Sequence, residues 1–302
     1  MSAPEDPVLA FLAAEARRPV APEVLDLARA ARTRFGPGVL AVLFYGSCLR
    51  DGVLKDRLVD LYLLSADAAS VTSGALRRVL LERLPPDVYR LCLFRDGEPL
   101  RAKVSIVPLP VLERAVAPGT LEPYFWARLA QPVALVWAAD ASIEARILRI
   151  LARAVRTFAA ETAPLLGSRD DPCALFARGF SESYRTELRA EPPERARALV
   201  AAAPRRYREL GALLLAELPP PDATARMRAL RLWRVRRRRG KLLSLLRLAK
   251  AASTFEDAAE YVAWKIERHA GVPVHLAPWQ RRFPRLAGLL LLPRLLRRGA
   301  VR

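Results

Sequence analysis

The chain has 302 residues, 52% of them hydrophobic, and a mean hydropathy of +0.09, which excludes a wholly disordered protein. Three widely spaced cysteines (Cys48, Cys92, Cys173) and two histidines (His269, His275) exclude a disulfide framework and a His-rich metal site, and they suit a reducing compartment. The formal charge of +19 is uneven: residues 224–250 hold eleven Arg or Lys and no acid, and residues 271–302 hold seven Arg and no acid, so a polyanion is expected to meet the C-terminal quarter.

In chain order, residues 5–35 read as helices punctuated by Pro19 and Pro22. Gly36-Pro37-Gly38 turns the chain into Val39–Tyr45 (VLAVLFY), a continuous apolar run expected as a strand buried on both faces. Gly46-Ser47 ends it. Leu58–Leu64 reads as a second buried strand carrying one acid, Asp60. A helix is expected over 73–84, with Leu76, Val79, Leu80 and Leu84 on its apolar face. Val88–Phe94 reads as a third strand, Asp96-Gly97 as a tight turn, and Arg101–Val107 as the hairpin partner. A helix over 121–130 and a strand over Pro132–Trp137 follow.

From residue 142 the pattern changes to long Ala/Leu/Arg helices over Ser142–Glu161, Asp170–Glu191, 194–217 and 224–250, with Pro219-Pro220-Pro221 as a linker. Ser253 to Glu256 fits a capping box for a further helix ending near His269, where Gly271 and Pro273 act as stops. The expected architecture is an α/β (α+β) domain with a mixed sheet over residues 1–140, an all-helical domain over 141–270, and a basic amphipathic tail over 271–302. Met1–Pro7 is acidic and polar, so no secretory leader is expected. The apolar run Leu286–Leu292 is shorter than the roughly 20 residues a spanning helix needs.

The sharpest chemical feature is Phe44-Tyr45-Gly46-Ser47 followed by Asp60. Glycine lets backbone N–H groups approach a phosphate without a Cβ in the way, and the Ser47 hydroxyl adds a donor. Asp60 lies inside an apolar strand, where an unpaired carboxylate is costly. It is therefore expected to point out of the core toward a partner, for which Mg²⁺ with its preference for hard oxygen ligands is the natural choice. The ordinary alternative is a strand-to-turn exit with a satisfied acid at its edge. A Gly-Ser pair followed about a dozen residues later by an acid on a strand resembles the signature of the DNA polymerase β-like nucleotidyltransferases. That pattern has a second acid two residues further on; this chain has Tyr62.

A more specific resemblance runs collinearly over about residues 38–250. The chain is similar to the mitochondrial-type phosphatidate cytidylyltransferases, the peripheral CDP-diacylglycerol synthases of the translocator-maintenance family, which keep Tyr-Gly-Ser and a hydrophobic-flanked Asp without the strict second acid. Lys103 in Arg-Ala-Lys-Val-Ser-Ile resembles the family's lysine on a strand after a turn. Arg128-Leu129-Ala130-Gln131-Pro132-Val133 resembles its Arg-Leu-x-Lys-Pro-Val, with Gln131 in place of lysine. Ser183-Tyr184-Arg185-Thr186-Glu187-Leu188-Arg189 resembles its Ser-Tyr-x-x-Asp-hydrophobic-Arg, with Glu187 for Asp. Tyr207-Arg208-Glu209-Leu210 and Gly240-Lys241 with the later Arg247 resemble two further motifs.

The resemblance implies transfer of CMP from CTP to phosphatidate, giving CDP-diacylglycerol and pyrophosphate. Phosphatidate is a phosphate monoester, largely ionised near neutral pH, so the protein's work is positioning and charge neutralisation. Tyr45, Gly46 and Ser47 would cradle the triphosphate and Asp60 would hold Mg²⁺. Lys103, Arg128, Tyr184 and Arg189 would hold phosphates. Glu187 is the preferred second carboxylate, with Asp51, Asp56 and Glu182 competing. Each residue has a plainer reading: Lys103 as a solvated strand residue, and Tyr184, Glu187 and Arg189 as an intrahelical network.

In the tail, Trp279, Phe283 and the leucines of 286–296 alternate with Arg clusters, a pattern suited to lying on an anionic membrane surface. The expected location is cytoplasmic, on the inner face of a bacterial membrane. Arg234 to Lys241 could equally face the phosphates of a nucleic acid, but that stretch lacks interleaved aromatics, so no nucleic-acid partner is expected. The rival readings are a nucleotidyltransferase with another acceptor (tRNA, a protein or a small molecule) and a non-catalytic membrane- or RNA-binding protein. A basic helix packed on the domain is the plain alternative for the charged segments.

Overall fold

The computed structural model describes residues 6–188, 194–220 and 222–254. Helices α1 (Pro7–Ala16) and α2 (Pro22–Phe35) lead into β1 (Val39–Tyr45), the short α3 (Ser47–Asp51), β2 (Leu58–Ser65), α4 (Ala75–Arg83) and the hairpin β3 (Asp87–Arg95) and β4 (Glu98–Pro108). Two short helices, α5 (Leu109–Ala115) and α6 (Tyr124–Leu129), precede β5 (Val133–Ala138). Then come α7 (Ala141–Thr162), α8 (Pro172–Tyr184), α9 (Arg195–Ala201), α10 (Pro204–Ala216) and α11 (Ala223–Thr254).

The five strands form one mixed sheet in the order β3-β4-β2-β1-β5. β2 and β4 run parallel, and the other neighbours are antiparallel. β1 reads as an unbroken apolar run because both of its faces are covered. Ala41, Leu43 and Tyr45, with Tyr62 and Leu64 of β2, join the core built by α1 and α5 to α11. Val42 and Phe44, with Leu61 and Leu63, pack against Val24, Leu27, Ala28 and Ala31 of α2. The mixed sheet followed by helices is the class the sequence implies. One continuous hydrophobic cluster joins a face of the sheet to the helices, from Val8 to Trp233.

The differences from the sequence reading have local causes. On α4, Leu76 is 73% and Val79 54% exposed, whereas Leu81 is buried. Helical period says which residues share a face, not which face meets the core. The helix expected over 194–217 is two helices, since Pro204 opens α10 and lacks the N–H to continue α9. α8 stops at Tyr184. The helices α3 and α5, of five and seven residues, are too short to show a period. α11 runs through Ser253, so that residue opens no new helix. Glu256, His269 and the basic tail over 271–302 lie outside the described residues.

The basic helix α11 is also an internal element. Arg236 is fully buried beside the edge-to-face pair of Trp126 and Trp233, and it donates to Glu161 at 2.8 Å and to the Thr120 carbonyl at 2.9 Å. Arg237 donates to Glu182 at 2.9 Å, and Lys250 pairs with Asp87 at 2.6 Å. Burial pulls the Lys250 ammonium below its usual range, and Asp87 opposes that shift. Gly240 lets α11 pass close to the turn after α8, where an added Cβ would sit 2.5 Å from the Thr186 carbonyl oxygen.

Candidate active site

The site is built on three adjacent strands in register. Tyr45 lies opposite Asp60, and Asp60 opposite Lys103. Residues directly across a sheet share a face, so Asp60 and Lys103 stand on the Tyr45 side, the side that α1 and α5 to α11 cover. Lys103 Nζ approaches Asp60 Oδ1 at 3.4 Å, and the two side chains are 27% and 26% exposed. Asp60 is thus neither buried nor on open surface, in keeping with an acid placed at the end of an apolar strand.

The Gly-Ser corner closes on this carboxylate. Gly46 has φ +90°, and a Cβ there would lie 2.7 Å from Asp60 Oδ2. The position therefore requires glycine both for its backbone conformation and for the space the carboxylate occupies. Ser47 begins α3 and is half-buried. Cys48, next in the chain, has its thiol pushed up by burial and by the nearby Asp60.

Tyr62, in the place of the expected second acid, is 1% exposed and stacks on Tyr45 with ring centroids 4.4 Å apart at 14°. Burial raises both phenols well above their ordinary range; Asp60 adds to the shift of Tyr45, and Tyr45 to that of Tyr62. Both remain protonated at neutral pH. The buried Tyr62 hydroxyl has no hydrogen-bond partner among the described residues.

Arg128 comes to the same cluster from α6. Its Nη1 and Nη2 donate to the two carboxylate oxygens of Glu187 at 3.1 and 3.0 Å, a bidentate pair across 59 residues of sequence. Burial pulls the Arg128 guanidinium down, but Glu187 and the phenols of Tyr124, Tyr62 and Tyr45 outweigh it, so it stays charged. Glu187 lies beyond the end of α8, in the turn that Gly240 lets α11 approach. Its link to Arg128 is tertiary and not the intrahelical network that spacing allowed. Tyr184 ends α8, half-buried against the same core. Arg189 lies outside the described residues.

Two of the three competing carboxylates are engaged elsewhere, and the third, Asp56, is exposed. Glu182 meets Arg178, Arg185 and Arg237, and Asp51 meets Arg57. Sequence reasoning missed Tyr124, whose ring lies between the guanidinium carbons of Arg128 at 3.7 Å and Arg247 at 4.3 Å. The available signal was its place four residues before Arg128 on one helical face.

For a divalent cation the site offers Asp60, a partly exposed hard oxygen donor beside a backbone corner with no Cβ. No group of three or more His, Cys, Asp and Glu that suits a metal exists among the described residues. These donors fit the mode in which Mg²⁺ uses one carboxylate and completes its shell with water and substrate phosphates. They do not form an all-protein cage.

No protein-family model matches the sequence, and no curated protein matches it. Among solved structures, the chain is similar to a nucleotidyltransferase-like protein from Exiguobacterium sibiricum, with 14% identity over 91% of this chain and 92% of that chain and a TM-score of 0.28.

Proposed function

We propose that this chain is a nucleotidyltransferase that transfers CMP from CTP to phosphatidate, releasing pyrophosphate. The observation that carries the reading is the contact of the Gly46 corner with the Asp60 carboxylate, in the same strand row as Lys103. A corner with bare backbone next to a partly exposed acid and a lysine is suited to gripping a polyphosphate. Tyr45, Asp60, Lys103, Arg128, Tyr184 and Glu187 were singled out along 143 residues of sequence, from Tyr45 to Glu187. Asp60 lies beside Lys103, Arg128 is bound to Glu187, and both Asp60 and Arg128 act on the Tyr45 phenol.

In the proposed reaction a phosphatidate oxygen attacks the α-phosphorus of CTP. The new P–O bond forms as the bond to the β-phosphate oxygen breaks, and pyrophosphate leaves with the electron pair. The acceptor is already ionised, so no residue need act as its base. Asp60 is proposed as the Mg²⁺ ligand; when bound, the cation would supply charge neutralisation on the phosphates. Lys103 and Arg128 neutralise phosphoryl oxygens, and Glu187 fixes the plane of the Arg128 guanidinium. The Tyr45 and Tyr62 rings form the apolar floor that keeps water from behind them.

A lipid acceptor requires contact with a bilayer. No helix among the described residues is long and apolar enough to cross a membrane. The outer face of α11 supports a peripheral contact: Met227, Val235, Leu242 and Leu246 are 47–58% exposed, and exposed Arg228, Arg231, Arg234, Arg238 and Arg239 lie among them. We place this face, with the basic tail, on an anionic leaflet.

The test is release of pyrophosphate from CTP by purified protein with Mg²⁺ and phosphatidate vesicles. Release that depends on the lipid is expected. Release driven instead by tRNA or a soluble acceptor would replace the lipid assignment, and no release with any acceptor would remove the enzymatic one.

A further inference from the structure

β3 ends the sheet, and among the described residues no strand pairs with its outer edge. It is nine residues long, Asp87–Arg95, and every second one turns its backbone donor and acceptor outward. An open edge of this length is a template for another strand. Arg34 Nη1 donates to the Arg90 carbonyl at 3.2 Å, a side-chain bond that a second strand would replace.

The helix beside this edge turns apolar residues to solvent. Leu76 and Val79 of α4, three residues apart on one face, are 73% and 54% exposed. Burial and the Asp87 charge push the Tyr89 phenol of β3 up, and the charges of Arg77 on α4 and Arg34 oppose them, which sets α4 next to β3. Leu81 of α4 and the half-buried Tyr89, Leu91 and Leu93 of β3 belong to the same side of the sheet. On the opposite side Phe94 is 77% exposed. Exposed apolar residues need no explanation one at a time, but these border one open edge on both of its faces.

The strand is also complementary to itself. With a two-fold axis at Leu91, a second copy of β3 runs antiparallel to the first. Asp87 then falls opposite Arg95, Val88 opposite Phe94, Tyr89 opposite Leu93, and Arg90 opposite Cys92. Apolar residues meet apolar ones and no like charges meet. An axis at Arg90 would set two arginines across from each other, and an axis at Cys92 would leave Asp87 and Val88 without a partner. Asp87 already holds Lys250, and Arg95 already holds Asp26, so the match works by avoiding repulsion at the ends of the pair. Self-complementarity of this kind is what a two-fold contact requires, and a foreign strand has no reason to meet it.

We infer that this chain forms a two-fold dimer through β3, in which the sheet continues into a second copy and Leu76 and Val79 are covered by that copy. The inference is independent of the transferase reading, and it supplies a burial partner for the two α4 residues whose apolar face was expected in the core.

The test is sedimentation velocity of the full chain over a series of concentrations, where a monomer–dimer equilibrium is expected. Leu76→Glu and Val79→Glu change side chains that solvent already reaches. Each is expected to raise the dimer dissociation constant about tenfold or more, with the melting temperature of the dilute protein unchanged. Cys92 is exposed and reports the register. Diagonal neighbours across an antiparallel pair lie roughly 7–8 Å apart, so a short bismaleimide is expected to join two chains through Cys92. Cys92→Ser should lose that product and Cys173→Ser should keep it. A chain that stays monomeric at every concentration overturns the inference. A dimer that neither glutamate weakens and that yields no Cys92 product overturns it as well, because the contact would then lie elsewhere.

Discussion

The strand row around Asp60 and the long helix α11 use charge in opposite ways. On the strands, one acid and one lysine meet at 3.4 Å with each about a quarter exposed, close enough to interact and open enough to receive a third charged group. On α11 the charges divide by face. Arg236 and Lys250 are buried against Glu161 and Asp87, whereas Arg228, Arg231, Arg234, Arg238 and Arg239 point outward. A count of basic residues made the helix look like a uniform surface for a polyanion, but part of that charge holds the helix to the protein. Net charge measures what a segment could attract only after its internal partners are subtracted.

The sharpest way to break this contrast is Asp60→Ala. If Asp60 holds Mg²⁺ as proposed, turnover is expected to fall about a thousandfold or more, because the cation's several kcal/mol of charge stabilisation on the phosphates is lost with its ligand. Thermal stability should hold, since the residue is partly exposed. Full activity in this variant would end the strand row's role in catalysis.

Next in size is Arg236→Met, which preserves bulk but leaves Glu161 and the Thr120 carbonyl without their donor. A loss of about 3–5 kcal/mol in urea unfolding is expected, as for other broken buried pairs. A neutral result would mean that the inner face of α11 is held by its apolar contacts alone.

A smaller effect is expected from Gly46→Ala. At φ +90° a Cβ costs about 1–2 kcal/mol in backbone strain, and it would meet Asp60 Oδ2 at 2.7 Å. Activity should drop at least tenfold with the melting temperature lowered by only a few degrees. If kcat and KM were both untouched, the corner would not be shaping the site.

The smallest effect sharpens the outer face. Arg231→Gln and Arg238→Gln are each expected to weaken binding to anionic vesicles about fivefold, near 1 kcal/mol per residue. The difference should fade as salt rises. Equal losses with neutral vesicles would point to something other than surface potential.

Much of the sheet was legible in the residues. Val39–Tyr45 and Leu58–Leu64 are apolar enough that only buried strands can use them, and Asp96-Gly97 marks the hairpin turn. Asp60 stood out because an acid in such a run demands a reason. The pairing of Glu187 with Arg128 was not legible, because the two are separated by 59 residues and joined only when α6 and the turn after α8 meet. Tyr124 was missed for a related reason: its one local signal, the four-residue spacing from Arg128, is commonplace in this Arg-rich chain. The exposure of Leu76 and Val79 was equally hidden, because it depends on how α4 is laid against the sheet.

What the amino-acid order determined by itself is the set of strands, the corner at Gly46-Ser47 and the lone acid after it, because burial of apolar runs and backbone freedom at glycine are local properties. Which charges are free to meet a ligand was decided only by the tertiary structure. An arginine's partner is chosen by the packing of distant elements, and that packing gave Arg128 the carboxylate of Glu187 and Arg236 that of Glu161.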